Sequence, residues 1–191
     1  MDEPDSPVLA KFKDYRSFAA AYGSDFKSFQ QPIIVKSYEL RGGKGLRFIG
    51  LCSVLLSDLN EAPGNLVLCE SQYAINRDEN FEEIVLVHHP LNWFMDQQQA
   101  SRYFNTRARV VITGHEHLPD LTVSTRGTWQ QLHVAAGAMN PPARTQLNPY
   151  TYNWLEFNWL NDNGRAILEV RAGPGCLNRI SASISGASAG V

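Results

Sequence analysis

The sequence predicts a mixed α/β domain with a parallel core, and two observations carry this prediction. Short apolar runs at 46–51, 84–87 and 109–113 are typical of buried strands, and apolar residues at helical spacing over 93–104 lie between the last two runs. Because a strand, a helix and a strand in that order form a crossover unit, we expect the two strands to lie parallel. With 191 residues, the chain is long enough for one ordinary domain with its own core.

The composition excludes several classes of protein. Hydrophobic residues make up 43% of the chain and charged residues 19%, which excludes a disordered polymer. A net charge of −2 gives no signal for nucleic acid or an anionic membrane as partner, and no apolar run has the roughly 20 residues of a membrane span. The acidic N-terminus and three widely spaced cysteines without a C-x-x-C pair indicate a soluble cytoplasmic protein.

Caps and spacing predict the first elements. Ser-Pro at 6–7 is typical of a helix start, and apolar residues every three or four positions then predict a helix that ends before Gly23. The stretch 24–45 reads as irregular, apart from an apolar fragment at 33–35. A further strand is predicted at 66–68, after a Pro-Gly-Asn turn.

The C-terminal part predicts antiparallel strands and then a flexible tail. Runs separated by Gly- or Asn-rich turns are typical of hairpins, and they lie at 121–125, 129–136, 153–159 and 165–170. The segment 172–191 has no acidic residue and is rich in Gly, Ala and Ser, so we expect it to be flexible. The chain therefore divides into a domain at 1–171 and a tail at 172–191.

Charge is unevenly spread along the chain. Residues 51–100 hold eight acidic side chains against the single base Arg77, whereas 101–191 hold eight Arg and no Lys. Such an imbalance can mark a polarised surface, but we expect solvent-exposed helix faces, which commonly carry charge.

Four of the five histidines form two pairs at predicted strand ends. His88 and His89 follow one predicted parallel strand directly, and His115 and His117 follow the next. Because the carboxyl ends of parallel strands meet at one edge of a sheet, we expect both pairs to face one cleft. Neutral imidazoles that converge on a cleft suit Zn, Fe, Mn or related ions. His133 lies in mid-strand and is expected to pack in the core or to support the metal ligands without binding the ion itself.

The run at 85–91 ends a strand in His-His-Pro, and the run at 110–117 ends one in Gly-His-Glu-His. In that order they resemble the last two metal-binding motifs of the calcineurin-like metallophosphoesterase family. The run at 48–53 resembles the family's preceding strand, with Cys52 at a place where Asn often stands. The resemblance covers residues 8–171.

The resemblance implies a four-layer α/β/β/α sandwich of mixed sheets that hydrolyses phosphomonoesters or phosphodiesters with two bridged metal ions. His88 and His115 would ligate one ion and His117 the other, while His89 would be a residue of the substrate pocket. The ions (Mn, Fe or Zn) would activate a hydroxide that attacks phosphorus, so no covalent protein nucleophile is needed.

The motifs of the family's first half are not found in this sequence. There, D-x-H, G-D-x-x-D and G-N-H-D or G-N-H-E supply a bridging Asp, an Asn ligand and a catalytic His, whereas this chain has no His before His88. We therefore expect the C-terminal half of such a domain, without the family's catalytic His and with poor activity by itself. The substrate stays open among cyclic nucleotides, nucleotide monoesters, protein phosphates and lipid headgroups.

Other classes of protein compete with the hydrolase. A non-catalytic metal-binding or interaction module derived from the same family would keep the histidines and show no turnover. A structural zinc domain is disfavoured, because no Cys is placed to complete a closed four-ligand site. A zincin is excluded by spacing, since His115 and His117 are two residues apart and H-E-x-x-H needs four. Glu116, between them, is expected to be exposed rather than catalytic.

Overall fold

The elements of the fold are taken from a computed structural model, which describes residues 10–23, 28, 30–40, 43–117, 119–127, 129–138, 152–162, 165–174 and 182–184. In chain order these elements are α1 (Lys13–Ala21), β1 (Ile33–Glu39), β2 (Gly45–Leu51), α2 (Glu70–Tyr73), β3 (Phe81–Val87), α3 (Gln97–Arg107), β4 (Ala108–Thr113), β5 (Asp120–Arg126), β6 (Trp129–Ala135), β7 (Asn153–Asp162), β8 (Arg165–Pro174) and β9 (Ala182–Ile184). None of the helices in this set is long and apolar enough to cross a membrane.

The larger sheet of the described chain has six strands in the spatial order β1-β2-β3-β4-β6-β5. Its four central strands run parallel to one another, and β1 and β5 pair antiparallel at the two edges. The predicted parallel pairing of β3 and β4 is confirmed, since Val85 pairs with Val111 and α3 connects the two strands. Their carboxyl ends therefore lie at the same edge of the sheet.

Each face of this sheet buries its own apolar core. On one face, α3 places Ala100 and Phe104 in a core with Val111. On the other, the smaller antiparallel sheet β7-β8-β9 places Leu168 in a core with Val110. Strands covered on both faces are apolar at nearly every position, which explains the continuous apolar runs of β3 and β4. The predicted α/β class is thus confirmed, as a mixed sheet with a helix on one face and a second sheet on the other.

The structure differs from the predictions in the region before α2. The stretch 24–45, predicted to be irregular, contains β1, which pairs with β2 in full register. Its last five residues, 35–39, are exposed, so this edge strand has an apolar pattern only at its start. An exposed edge strand of this kind cannot be recognised from hydrophobic alternation.

The predicted strand at 66–68 is wrong, because this segment makes only an isolated bridge between Leu66 and Phe94. The Asp96 carboxylate accepts the backbone N–H groups of Leu68 and Cys69, with N···O distances of 3.0 and 2.9 Å. A side chain thus replaces the sheet ladder as hydrogen-bond partner, while Leu66 and Leu68 are buried in the helix-side core.

The first helix and the C-terminal strands can be compared with the elements that the sequence predicted. The helix before Gly23 is confirmed as α1, although its predicted start at 6–7 lies outside the described residues. Within the expected tail, β8 continues to Pro174 and β9 pairs with it, while the flexibility of 172–191 stays a prediction. Backbone pairing with the free edge of a strand needs no apolar side chains, so composition does not reveal it. The other tail positions lie outside the described residues.

Two of the acids in the acid-rich segment are paired inside the fold. Glu82 accepts hydrogen bonds from Arg109, and Glu83 accepts them from Arg47. Both acids lie on β3 and are buried, so the expectation of solvent-exposed helix faces is wrong for them. Burial raises the pKa of Glu83, and its hydrogen bond to Arg47 opposes that shift.

Close packing at the start of β2 predicts a stability effect. A Cβ added at Gly45 would lie 2.5 Å from the Phe81 ring and 2.6 Å from the backbone oxygen of Tyr38. Because a backbone atom cannot turn aside, Gly45→Ala should lower the free energy of unfolding by about 1–3 kcal/mol. Gly50→Ala is the matched control on the same strand, since its new Cβ meets Ile34 only at 3.8 Å. Urea denaturation measures both variants, and equal stabilities would contradict the packing argument.

Candidate metal centre

The two histidine pairs are placed by the ends of neighbouring parallel strands. His88 follows β3 directly, and Gly114 follows β4. The N–H of Gly114 donates a hydrogen bond of 2.8 Å to the backbone oxygen of His88, which ties the two strand ends together. A Cβ at position 114 would lie 3.3 Å from Nδ1 of His88, so glycine leaves the room that this imidazole occupies.

Three imidazoles meet at this edge. Nε2 of His88 lies 3.3 Å from Nδ1 of His115, and among the described residues one group of potential ligands, His88, His89 and His115, has its ligand atoms within 4.8 Å of one another. Three of the four paired histidines, His88, His89 and His115, therefore come together as predicted. His117 is exposed and lies outside this group.

The spacing of the donors fits a metal ion. In a tetrahedral zinc site with Zn–N bonds of about 2.0–2.1 Å, neighbouring ligand atoms lie about 3.3–3.4 Å apart. The separation of 3.3 Å between His88 and His115 equals such an edge. By distance, these two nitrogens can thus occupy two corners of one coordination shell.

His89 lies deepest in the cluster, with a side chain that is 1% exposed. Its Nδ1 lies 2.9 Å from Oγ of Ser53, and its Nε2 lies 3.4 Å from a carboxylate oxygen of Glu61. Trp93 packs against both His89 and His115, with ring centroids 5.3 and 4.3 Å away. Trp93 thus covers one side of the cluster with an aromatic ring.

The electrostatic environment favours neutral imidazoles. His88 is exposed, yet partial desolvation by its neighbours lowers its pKa, the nearby His89 and His115 lower it further, and Glu61 opposes these effects. Burial likewise lowers the pKa of His89, against its hydrogen bond to Glu61. Neutral imidazoles carry the free lone pairs that a metal ion requires.

The backbone is strained at the second pair. His115 and His117 have φ angles of 69° and 60°, in the left-handed region that residues with a Cβ seldom occupy. Such outliers persist where the surrounding structure enforces them, and they cluster at functional sites. The strain is an independent indication that this turn is shaped for binding.

The other residues considered from the sequence lie apart from the cluster. His133 is on β6, half-buried and paired with Val111 and Thr122, as expected of a packing residue; burial lowers its pKa. Glu116 is exposed, as expected. A cleft of about 750 Å³ opens beside His88, lined mainly by apolar residues, with Ser53 and Gly114 at its rim.

Sequence reasoning missed Ser53, Glu61 and Trp93 as members of the site. Ser53 follows β2 closely and so reaches the same edge as the histidines, which is a signal that strand order could have given. Glu61 lies between β2 and α2, on a segment without a periodic pattern, and nothing in the sequence places it there.

Comparisons with known proteins add little to this geometry. No protein-family model matches the chain, and no curated protein matches it. Among solved structures, one described as a hypothetical protein from Thermus thermophilus is similar at 13% sequence identity and a TM-score of 0.37. The similarity covers 80% of this chain and 62% of that one, so this chain spans less than two thirds of its neighbour's length.

Proposed function

We propose that this chain is part of a metal-dependent phosphoester hydrolase of the calcineurin-like type. The observation that supports this most is the separation of 3.3 Å between the facing nitrogens of His88 and His115, at the carboxyl ends of two parallel strands. In this proposal His88 and His115 hold one divalent ion (Mn, Fe or Zn), His117 holds a second, and His89 contributes to the substrate pocket.

Three residues around the histidines would support this function by their contacts. A bound ion would supply a hydroxide nucleophile and charge neutralisation at phosphorus. Gly114 ties the backbone of His88 to the end of β4, Ser53 contacts Nδ1 of His89, and Trp93 packs against the ring of His89. The cleft of about 750 Å³ beside His88 is large enough for a phosphorylated small molecule.

The finer fold and the location belong to the same proposal. A helix and two sheets are three of the four layers in an α/β/β/α sandwich, and we propose that the domain is a portion of that architecture. We also propose a cytoplasmic location, since Cys52 and Cys69 are free thiols, as is usual in reducing compartments.

Hydrolysis of an aryl phosphodiester and an aryl phosphomonoester tests the function. With Mn²⁺ or Zn²⁺ present, we expect slow turnover above the rate of the metal alone, because the family's catalytic His is absent and general acid catalysis is worth about 10²–10⁴-fold. Chelation or His115→Ala should remove this activity, whereas His133→Ala should keep it. Turnover that survives both chelation and His115→Ala would contradict the proposal.

A second candidate function is a non-catalytic metal-binding module. It is favoured by the donor set, because the group of ligand atoms within 4.8 Å in the described chain contains three imidazoles and no carboxylate that could bridge two ions. The same assay separates the two functions. A non-catalytic module would bind the metal ion through His115, and its rate of hydrolysis would not exceed that of the metal ion alone.

A further inference from the structure

We propose that His89 and Glu61 join His88 and His115 in a mononuclear metal site of three imidazoles and one carboxylate. This inference rests on the metal binding of the proposed function and deepens it. It changes the assignment of His89 from a pocket residue to a ligand, and it gives Glu61 a role that no sequence motif indicates.

The contact of His89 with Ser53 is of a kind that ligating histidines have. Such residues almost always donate the outer ring N–H to a neighbouring oxygen, which directs the other nitrogen to the metal. In His89, Nδ1 lies 2.9 Å from Oγ of the buried Ser53, which can accept a hydrogen bond from it. With an ion bound, the proton would be on Nδ1, and the lone pair of Nε2 would be free for the ion.

Nε2 of His89 and a carboxylate oxygen of Glu61 lie 3.4 Å apart, and without an ion this contact is a hydrogen bond that the carboxylate accepts. A divalent ion that replaces the shared proton would have both atoms as ligands. The distance of 3.4 Å also matches the edge of a tetrahedral zinc site, about 3.3–3.4 Å. His88 and His115 provide a second edge of the same length, at 3.3 Å.

The three imidazoles are close enough to share one coordination shell. The ring of His89 lies 4.5 Å from that of His115 and 4.8 Å from that of His88, centroid to centroid. The ligand atoms of the three rings already lie within 4.8 Å of one another, and the carboxylate of Glu61 lies outside this group. Glu61 is 26% exposed and outside any helix or strand, and in the proposed site its side chain turns towards the three nitrogens.

The charge and chemistry of the set suit one divalent ion. One carboxylate and three neutral imidazoles reduce the charge of a dication to +1, which lowers the cost of holding it beside the apolar cleft. Mixed imidazole and carboxylate donors suit Zn, Fe and Mn. The site also needs no bridging Asp, so it is complete within the described residues, and His117 is left for a second ion.

Metal affinity tests the assignment of Glu61. The full chain is titrated with Zn²⁺ against a competing chelator and with Co²⁺, whose visible absorption reports the geometry of its shell. We expect Glu61→Gln to weaken Zn²⁺ binding by about 100-fold or more, above the 10–100-fold usual for groups outside the shell. Glu116→Gln, which removes an exposed carboxylate next to His115, is the matched control and should bind Zn²⁺ like the unaltered chain.

Histidine ¹⁵N resonances test the assignment of His89 without altering a buried residue. On addition of Zn²⁺, the Nε2 resonance of His89 should shift together with those of His88 and His115, while the resonances of His133 stay in place. An unshifted His89 would overturn its role as a ligand, whatever the affinity shows.

The outcomes separate this inference from the proposed function. If Glu61→Gln binds as tightly as the unaltered chain while His115→Ala loses the metal, the four-ligand site is refuted and the metal centre of the proposed function stands. If His115→Ala also retains the metal, both are refuted. An equal loss for Glu116→Gln and Glu61→Gln would show a general charge effect and refute the role of Glu61.

Discussion

Arg109→Ala should lower the free energy of unfolding by about 3–5 kcal/mol, because it leaves a buried carboxylate without its partner. The Arg109 side chain is 0% exposed, and Nε and Nη2 each donate a hydrogen bond of 3.1 Å to Glu82. Nη1 donates to the backbone oxygen of Gln130 at 2.9 Å, and the guanidinium lies 3.8 Å from the ring centroid of Trp129. One side chain thus joins β3, β4 and β6 at the edge opposite the histidines.

Two further variants isolate the buried charge as the cause. Arg102→Ala removes an exposed arginine from α3 and should change stability by less than about 0.5 kcal/mol. Arg109→Ala combined with Glu82→Gln removes both charges with the same change in packing, and it should be more stable than Arg109→Ala alone. Denaturant unfolding monitored by tryptophan fluorescence measures all three. A double variant no more stable than Arg109→Ala would mean that packing against Trp129, and not the orphaned carboxylate, dominates.

The pairing of Glu82 with Arg109 shows where sequence patterns stop being informative. Apolar periodicity identified β2, β3 and β4, because strands covered on both faces leave a continuous apolar run. Glu82 and Arg109 each lie at the start of such a run, where charge is normally taken as the sign of solvent. Which acid meets which base depends on strand register across 27 residues, and a single sequence does not encode that register locally.

The residues of the candidate site likewise fall into those that the sequence could place and those that it could not. His88 and His115 could be placed together because each follows a strand, and parallel neighbours share their carboxyl edge. Glu61 could not be placed, since its position depends on an irregular connection that hydrophobic patterns do not describe. Strand-end residues are therefore predictable from topology, whereas groups delivered by loops become visible only in the fold.

His115→Asn should weaken Zn²⁺ binding by at least about 100-fold while leaving the metal-free protein nearly as stable as before. The loss of affinity follows from the loss of Nδ1, which lies 3.3 Å from Nε2 of His88. The stability is expected to hold because of the backbone, whose φ angle is 69° at this residue. Asn is among the few residues that adopt the left-handed region readily, so the change in the free energy of unfolding should stay within about 1 kcal/mol.

His133→Asn should give the opposite pattern. His133 lies in the middle of β6, where Asn is a poor strand residue and leaves packing volume unfilled, so this variant should lose stability and keep its metal affinity. Zn²⁺ competition and denaturant unfolding are measured on both variants. A residue that serves binding at a strained turn loses affinity without stability, and one that serves packing loses stability without affinity. If His115→Asn instead unfolded easily and bound Zn²⁺ normally, His115 would be a packing partner of Trp93, and the candidate metal centre would lose its main ligand.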